Sequence, residues 1–145
     1  MRMSQQGGSR LLGVAPEDRE DRLLAPSIYG YARLLPGADA ALELSRVRRK
    51  LTGFAGGRGF ALMGVMLLER PGDRLEVWGE LLWSCRLFGV SDVVVPSLAH
   101  LHEDETLAQF MCEDVARWIN GRVWIVGTRG PVVAAPAQEL GVMAR

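Results

Sequence analysis

The chain has 145 residues, of which 48% are apolar and 23% are charged, and its mean hydropathy is +0.08. These values exclude a disordered or fibrous protein and predict one globular domain with a hydrophobic core. Seventeen basic and seventeen acidic residues give a net charge of zero, which excludes the overall positive field that draws many proteins to nucleic acid or anionic lipid.

The two ends of the chain differ in composition from residues 27–127, which we expect to form the domain. Residues 1–26 carry little apolar material and the charge run EDREDR, which predicts a flexible N-terminal arm. Pro131 and Pro136 forbid a long helix in residues 128–145, which we expect to form a tail. The sequence lacks a run of about 20 apolar residues and the apolar segment of a secretion signal, so we predict a cytoplasmic protein without membrane association.

The first half of the domain alternates between strand and helix patterns. SIYGYARL, residues 27–34, is short and aromatic and precedes Pro36–Gly37, which predicts a strand. Asp39 is suited to cap a helix that runs to about Thr52. The almost wholly apolar run at residues 59–68 predicts a strand that is covered on both faces. The apolar residues of the helix recur every three or four positions: Ala41, Leu44, Val47 and Leu51.

A second helix pattern follows and ends at Gly89. Asp73 and Glu76 have the spacing of a capping box at its start. Trp83 lies outside the apolar stripe and is the tryptophan we expect to be exposed. The stripe consists of Leu75, Trp78, Leu81, Leu82 and Cys85.

The last elements are a strand at residues 91–98, a helix at residues 103–120 and a strand at residues 122–127. Acidic residues crowd the first turn of the helix, where the helix dipole favours them. Its apolar residues at helical spacing are Leu107, Phe110, Met111, Val115, Trp118 and Ile119.

Regular alternation of strands and helices predicts an α/β fold of three layers, with a mainly parallel sheet of four to five strands and helices on both faces. Ligand sites of such sheets lie at the carboxyl ends of the strands. We therefore expect the functional site in the loops at residues 33–39, 69–73 and 96–105.

These loops carry no nucleotide-binding glycine motif, and we predict no cofactor. His100, His102 and the acidic run Glu103–Glu105 offer ligand atoms for a divalent metal. Close spacing on one loop, without a distant third ligand, favours the alternative that the acids begin a helix, so we predict no metal site. Cys85 and Cys112 lie among apolar neighbours without metal or redox spacing, which predicts two buried thiols.

Three arginines lie at the ends of the first two strands. Arg33 ends the first strand, and Arg70 and Arg74 flank the break after the second. If the three guanidinium groups face one crevice, they can hold a phosphate, because arginine presents a rigid fork of donors. The alternative is that they are solvated loop arginines.

The order of these elements, with YARLL after the first strand and SDVVVPSLAHLHED before the last helix, resembles the catalytic domain of the serine recombinases, the resolvase and invertase family. The resemblance spans about residues 28–127. In that family a Tyr-x-Arg-x-Ser pattern ends the first strand, and its serine attacks the DNA phosphate. Tyr31 and Arg33 match this pattern, but Leu35 occupies the serine position. Ser27 and Ser45 are too distant along the chain to replace it.

The second family pattern, Asp-Arg-Leu-x-Arg, is also altered. Leu101 matches it, whereas His100 and Glu103 occupy the positions of the two arginines. The resemblance implies that Arg70 or Arg74 corresponds to a further family arginine, with the register left open. It therefore implies a degenerate member of the family in which Arg33, Arg70, Arg74 and His100 are the remnants of a phosphate site.

These features favour a non-catalytic, resolvase-like domain that acts as an interaction or regulatory module, with a protein partner or a second copy of itself. The alternative is weak binding of DNA or a phosphate ligand through Arg33 with Arg70 or Arg74, aided by the basic stretch Arg46–Lys50. An enzyme with His100 or His102 as a general base ranks last, because no nucleophile is evident.

Overall fold

The computed structural model describes residues 25–132, which form a three-layer α/β domain around a four-stranded sheet. The strand order is β2-β1-β3-β4, and the three strand pairs are parallel. The predicted fold class is thereby confirmed. In chain order the elements are β1 (Ser27–Arg33), α1 (Ala40–Gly57), β2 (Ala61–Leu68), α2 (Arg74–Phe88), β3 (Asp92–Val95), α3 (Glu105–Ile119) and β4 (Arg122–Ile125), with short 3-10 turns at Pro71–Asp73 and Leu98–His100.

The sheet separates two hydrophobic clusters, because successive residues of a strand point to opposite faces. Ile28 and Ala32 of β1 face α1, whereas Tyr31 faces α2 and α3. In β3, Val94 likewise faces α1, whereas Val93 faces α2 and α3. The helices therefore cover both faces of the sheet, one on the first face and two on the second.

Helix α1 begins at its predicted cap and ends later than predicted. The Asp39 side chain accepts a hydrogen bond of 2.9 Å from the Leu42 backbone N–H. The helix continues past Thr52 to Gly57 because Ala55 packs under the sheet, and this packing outweighs the low helix propensity of the glycines. Ala41, expected in the apolar stripe, is exposed.

The predicted capping box of α2 is wrong. Asp73 makes no capping hydrogen bond, because its carboxylate accepts a 3.1 Å hydrogen bond from Arg70 Nε. The predicted stripe is also only partly correct, since Leu75 is 87% exposed. Trp78 is buried and donates to Asp114 of α3 at 3.3 Å. Trp83 is exposed, as predicted.

Helix α3 is capped by Asp104, which accepts hydrogen bonds from two backbone N–H groups in the first turn. Its buried face differs from the predicted one, because Leu107, Phe110 and Trp118 are exposed. That face consists of Ala108, Met111, Cys112 and Val115.

Strand β2 lies at an edge of the sheet and is less buried than predicted, with Met63 about half exposed. Cys85 and Cys112 are buried, as predicted, and burial raises the pKa of each thiol to about 11. None of the helices within residues 25–132 has the length and apolar character of a membrane span.

The arm and tail predicted at residues 1–26 and 128–145 lie largely outside the described residues and stay predictions. After β4 the chain turns back on the strand, where the Val132 N–H donates to the Val123 carbonyl at 2.6 Å and Pro131 forms an antiparallel bridge with Trp124.

Candidate functional site

The crevice lies at the carboxyl ends of β1 and β3, where parallel strands bring their following loops to one edge of the sheet. Arg33 is the last residue of β1, and Arg74 is the first residue of α2. Glu103 lies in the loop that leads into α3. The fold therefore brings together three charged side chains that are far apart in sequence.

Arg33 is tied to the loop after β3 by both its side chain and its backbone. Its Nε donates to the Ala99 carbonyl at 2.8 Å, and its backbone N–H donates to His100 Nδ1 at 3.1 Å. Only 14% of the Arg33 side chain is exposed. The guanidinium is therefore held in place at the floor of the crevice.

Glu103 lies between the two guanidinium groups. Its carboxylate is 2.9 Å from Arg74 Nη2 and 4.0 Å from Arg33 Nη1. The pKa of Glu103 is lowered, first by a hydrogen bond from its own backbone N–H and then by the charges of Arg74 and Arg33, while desolvation opposes the shift. The carboxylate therefore stays ionised at neutral pH and occupies the position at which an anionic ligand would meet both arginines.

Tyr31 and Arg74 supply two polar atoms that are not satisfied. The Tyr31 hydroxyl and Arg74 Nε are buried, and neither has a hydrogen-bond partner within residues 25–132. The Tyr31 ring packs edge-on against Trp78, with 5.0 Å between ring centroids. Burial raises the pKa of Tyr31, and the charge of Arg74 opposes the rise. The phenol is therefore a neutral hydrogen-bond donor.

His100 is neutral for two reasons. Burial lowers its pKa, and the positive charge of Arg33 lowers it further. Its Nδ1 accepts from the Arg33 N–H, so the proton of the neutral ring is on Nε2. The Nδ1 atom of His102 accepts a 2.9 Å hydrogen bond from the Asp104 N–H and lies 3.3 Å from Glu103 Oε1. The two histidines thus organise the loop backbone.

Of the four predicted site residues, the structure brings together Arg33, Arg74 and His100. Arg70 does not join them, because its side chain is 81% exposed and pairs with Asp73. The basic stretch Arg46–Lys50 lies on α1.

Sequence analysis missed the roles of Tyr31 and Glu103. Alternation along β1 places Tyr31 on the face of α2, which was a usable signal. From the sequence, Glu103 was considered as a metal ligand, as an acid at a helix start and as an acid in an arginine position. Its pairing with Arg74, across 29 residues, depends on the tertiary fold.

A cavity of about 290 Å³ opens beside Glu103. Two serines bear on a nucleophile for the crevice: Ser27 is at the opposite end of β1, and Ser97 is exposed in the loop after β3. Leu35 is 43% exposed. Within residues 25–132, no three side chains of the His, Cys, Asp and Glu types group as metal ligands. The cavity lining consists of Leu98, Ala99, His102, Glu103, Glu105 and Ala108.

Two solved catalytic domains share this fold. The N-terminal catalytic domain of TP901-1 integrase matches with a TM-score of 0.60 and 16% identity, over 81% of this chain and 91% of that chain. The C-terminal catalytic domain of ISC1926 TnpA, an IS607-like serine recombinase, matches with a TM-score of 0.54 and 18% identity, over 81% of this chain and 79% of that chain. The fold is therefore that of serine recombinase catalytic domains, as the sequence resemblance implied. No protein-family model matches the sequence, and neither does any curated protein.

Proposed function

We propose that this chain is a non-catalytic, serine recombinase-like domain that acts as an interaction or regulatory module. The observation that carries the proposal is the Glu103 carboxylate, which pairs with Arg74 at 2.9 Å and lies 4.0 Å from Arg33. The single negative charge of Glu103 thus offsets part of the positive charge of the two guanidinium groups that are best placed to bind a phosphate.

Phosphoryl transfer to a protein side chain needs a nucleophile and positive groups that stabilise charge on the phosphate. Leu35, which follows β1, has no nucleophilic atom. Glu103 places a negative charge where the reaction requires a positive one, and it would repel a phosphate by Coulomb repulsion. The missing nucleophile and the added negative charge both act against cleavage of a DNA strand. The hydrophobic core that maintains the fold, in contrast, is complete on both faces of the sheet. Such a domain keeps its surfaces for contacts with a protein partner or a second copy.

The test is a titration of the full chain against fluorescent duplex DNA at low and moderate salt. We expect no saturable binding and no covalent protein–DNA adduct on a denaturing gel. A covalent adduct would overturn the proposal, and the Ser97→Ala and Ser27→Ala variants would then identify the nucleophile.

A second candidate function is binding of DNA or a phosphate ligand without chemistry, and one observation favours it. The Tyr31 hydroxyl and Arg74 Nε are buried donors that lack a partner within residues 25–132. A buried donor without a partner costs free energy that a bound phosphate oxygen would recover. Glu103 can leave this position, because its side chain is 51% exposed.

The same titration separates the two functions. Saturable binding that weakens with salt, and that Arg33→Ala or Arg74→Ala reduces, would favour the phosphate ligand over the interaction module. Arg70→Ala is the matched control, because Arg70 lies outside the crevice and pairs with Asp73. An equal loss of affinity in the Arg70→Ala control would indicate that the ligand binds to general surface charge. This result would count against binding in the crevice.

A further inference from the structure

The outer surface of α2 carries a stripe of residues four positions apart, which we name the α2 stripe: Leu75, Gly79, Trp83 and Leu87. Leu75 is 87% exposed, Trp83 65% and Leu87 63%. Soluble domains seldom leave three large apolar side chains in one row open to water. Residues four apart form a ridge along a helix, so the α2 stripe is a continuous surface about 18 Å long.

We infer that the α2 stripe is the contact surface of a homodimer in which α2 pairs antiparallel with α2 of a second copy. This inference names the partner of the proposed interaction module and in that respect rests on it. The α2 stripe is self-complementary in shape and charge.

In an antiparallel pair whose two-fold axis is level with Leu81, each residue of the α2 stripe lies opposite a residue of the α2 stripe of the second copy. Leu75 is then level with Leu87 of the second copy, and Trp83 is level with Gly79 of the second copy. Within residues 25–132, a Cβ added at Gly79 would meet nothing within 4 Å beyond the neighbouring backbone of its own helix, so that site is an open notch. A large ring against a notch gives the close packing that buried tryptophans provide at the centres of interfaces. By symmetry, each such contact occurs twice.

The charges beside the α2 stripe match in the same arrangement. Glu76 is level with Arg86 of the second copy, and both residues are exposed. Glu76, Glu80 and Arg86 form no ion pair within residues 25–132, so their charges are available. A parallel pair would instead place Glu76 against Glu76 and Arg86 against Arg86, which is repulsive. Charge therefore selects the antiparallel orientation.

Helix α3 can enlarge the contact. It packs beside α2 on the same face of the sheet, where Trp78 of α2 donates to Asp114 of α3. Phe110 of α3 is 53% exposed, and Trp118 is 55% exposed. A single helix ridge is small for a stable dimer, which commonly buries about 800 Å² per copy, so a contribution from α3 is expected.

The test is sedimentation equilibrium of the full chain from micromolar to submillimolar concentrations. We expect a monomer–dimer equilibrium in the wild type and about a tenfold or larger rise in the dissociation constant for Trp83→Ala. Gly79→Leu fills the notch and should weaken the dimer in the same way. Circular dichroism confirms that each variant remains folded.

The charge pair provides the decisive variant. Glu76→Arg alone and Arg86→Glu alone place like charges opposite each other, and each should weaken the dimer about fivefold. The double variant Glu76→Arg with Arg86→Glu restores opposite charges and should recover the wild-type dissociation constant. A wild-type monomer, or a dimer that is indifferent to both Trp83→Ala and the charge variants, would overturn the inference. Neither result bears on DNA binding in the crevice, so the inference and the proposed function fail separately.

Discussion

Arg74 and Glu103, which are 29 residues apart in sequence, form an ion pair of 2.9 Å across the crevice. The pair links the start of α2 to the loop before α3, next to the unsatisfied Nε of the same arginine. The crevice therefore holds both an internal anion and donors that lack a partner in the part of the chain that the structure describes. The affinity of the crevice for an added anion depends on whether the Glu103 carboxylate stays between the two guanidinium groups.

Glu103→Gln should increase the affinity of the crevice for inorganic phosphate by about tenfold, because it removes the negative charge that competes for Arg33 and Arg74. NMR titration of the backbone amides with phosphate measures the change. Glu105→Gln is the matched control, because Glu105 lines the same cavity but forms no ion pair within residues 25–132. A similar gain in Glu105→Gln, or no gain in Glu103→Gln, would contradict the role given to Glu103.

His100 should make the stability of the domain depend on pH near neutrality. Burial and the charge of Arg33 lower its pKa below the ordinary value of 6.5, Lys50 lowers it further, and Glu43 opposes the shift. The unfolded chain therefore binds the proton more readily than the folded one. Stability should be greatest above pH 6.5 and should fall as the pH drops through 6.5 toward the folded-state pKa.

Urea unfolding between about pH 8 and pH 5.5 measures this dependence. His100→Asn is the comparison, because its side-chain oxygen can still accept from the Arg33 N–H that now bonds to Nδ1. We expect the pH dependence to be weaker in the variant. An identical pH dependence of the unfolding free energy in the two proteins would show that groups other than His100 cause it.

Asp92 should matter for stability although it lies at the opposite end of β3 from the crevice. It is buried and accepts hydrogen bonds from Trp124 Nε1 at 2.9 Å and from Arg122 Nε at 3.1 Å. Asp92→Ala leaves the buried Trp124 donor without a partner and should cost about 2 kcal/mol of unfolding free energy. Asp92→Asn keeps an acceptor and should cost less. Chemical denaturation measures both, and equal losses would indicate that the hydrogen bond to Trp124 is unimportant.

Gly121 should be intolerant of any side chain, because a Cβ there would lie 2.1 Å from the backbone oxygen of Ser91. Backbone atoms cannot move aside as a side chain can, so Gly121→Ala should cost about 3 kcal/mol. Gly53→Ala is the matched control in α1, where an added Cβ would meet nothing within 4 Å in residues 25–132 beyond the neighbouring backbone of the helix. It should stabilise the helix by about 0.5–1 kcal/mol. Thermal unfolding of the two variants should therefore shift in opposite directions.

The sequence alone was sufficient to predict the order of the strands and helices and the parallel sheet. Local patterns carry this information: the apolar run of β2, the cap Asp39, the acidic residues at the start of α3 and the glycine that ends α2 act over a few residues. The crevice could also be located, because parallel strands place their following loops at one edge. Arg33, Arg70 and Arg74 were predicted there for this reason, and the structure brings Arg33 and Arg74 together. His100 was added through the family resemblance.

Only the tertiary structure decided which apolar side chains are buried and which charges pair. Helices α2 and α3 carry apolar residues on more than one side, so periodicity cannot select the face that meets the sheet. Leu75 and Phe110 were therefore assigned to the core but are exposed. Glu103 pairs with Arg74, whereas the Arg70 side chain points outward. This difference depends on the distance between segments that are remote in sequence. Burial and Coulomb energies depend on three-dimensional neighbours, and sequence spacing does not specify those neighbours.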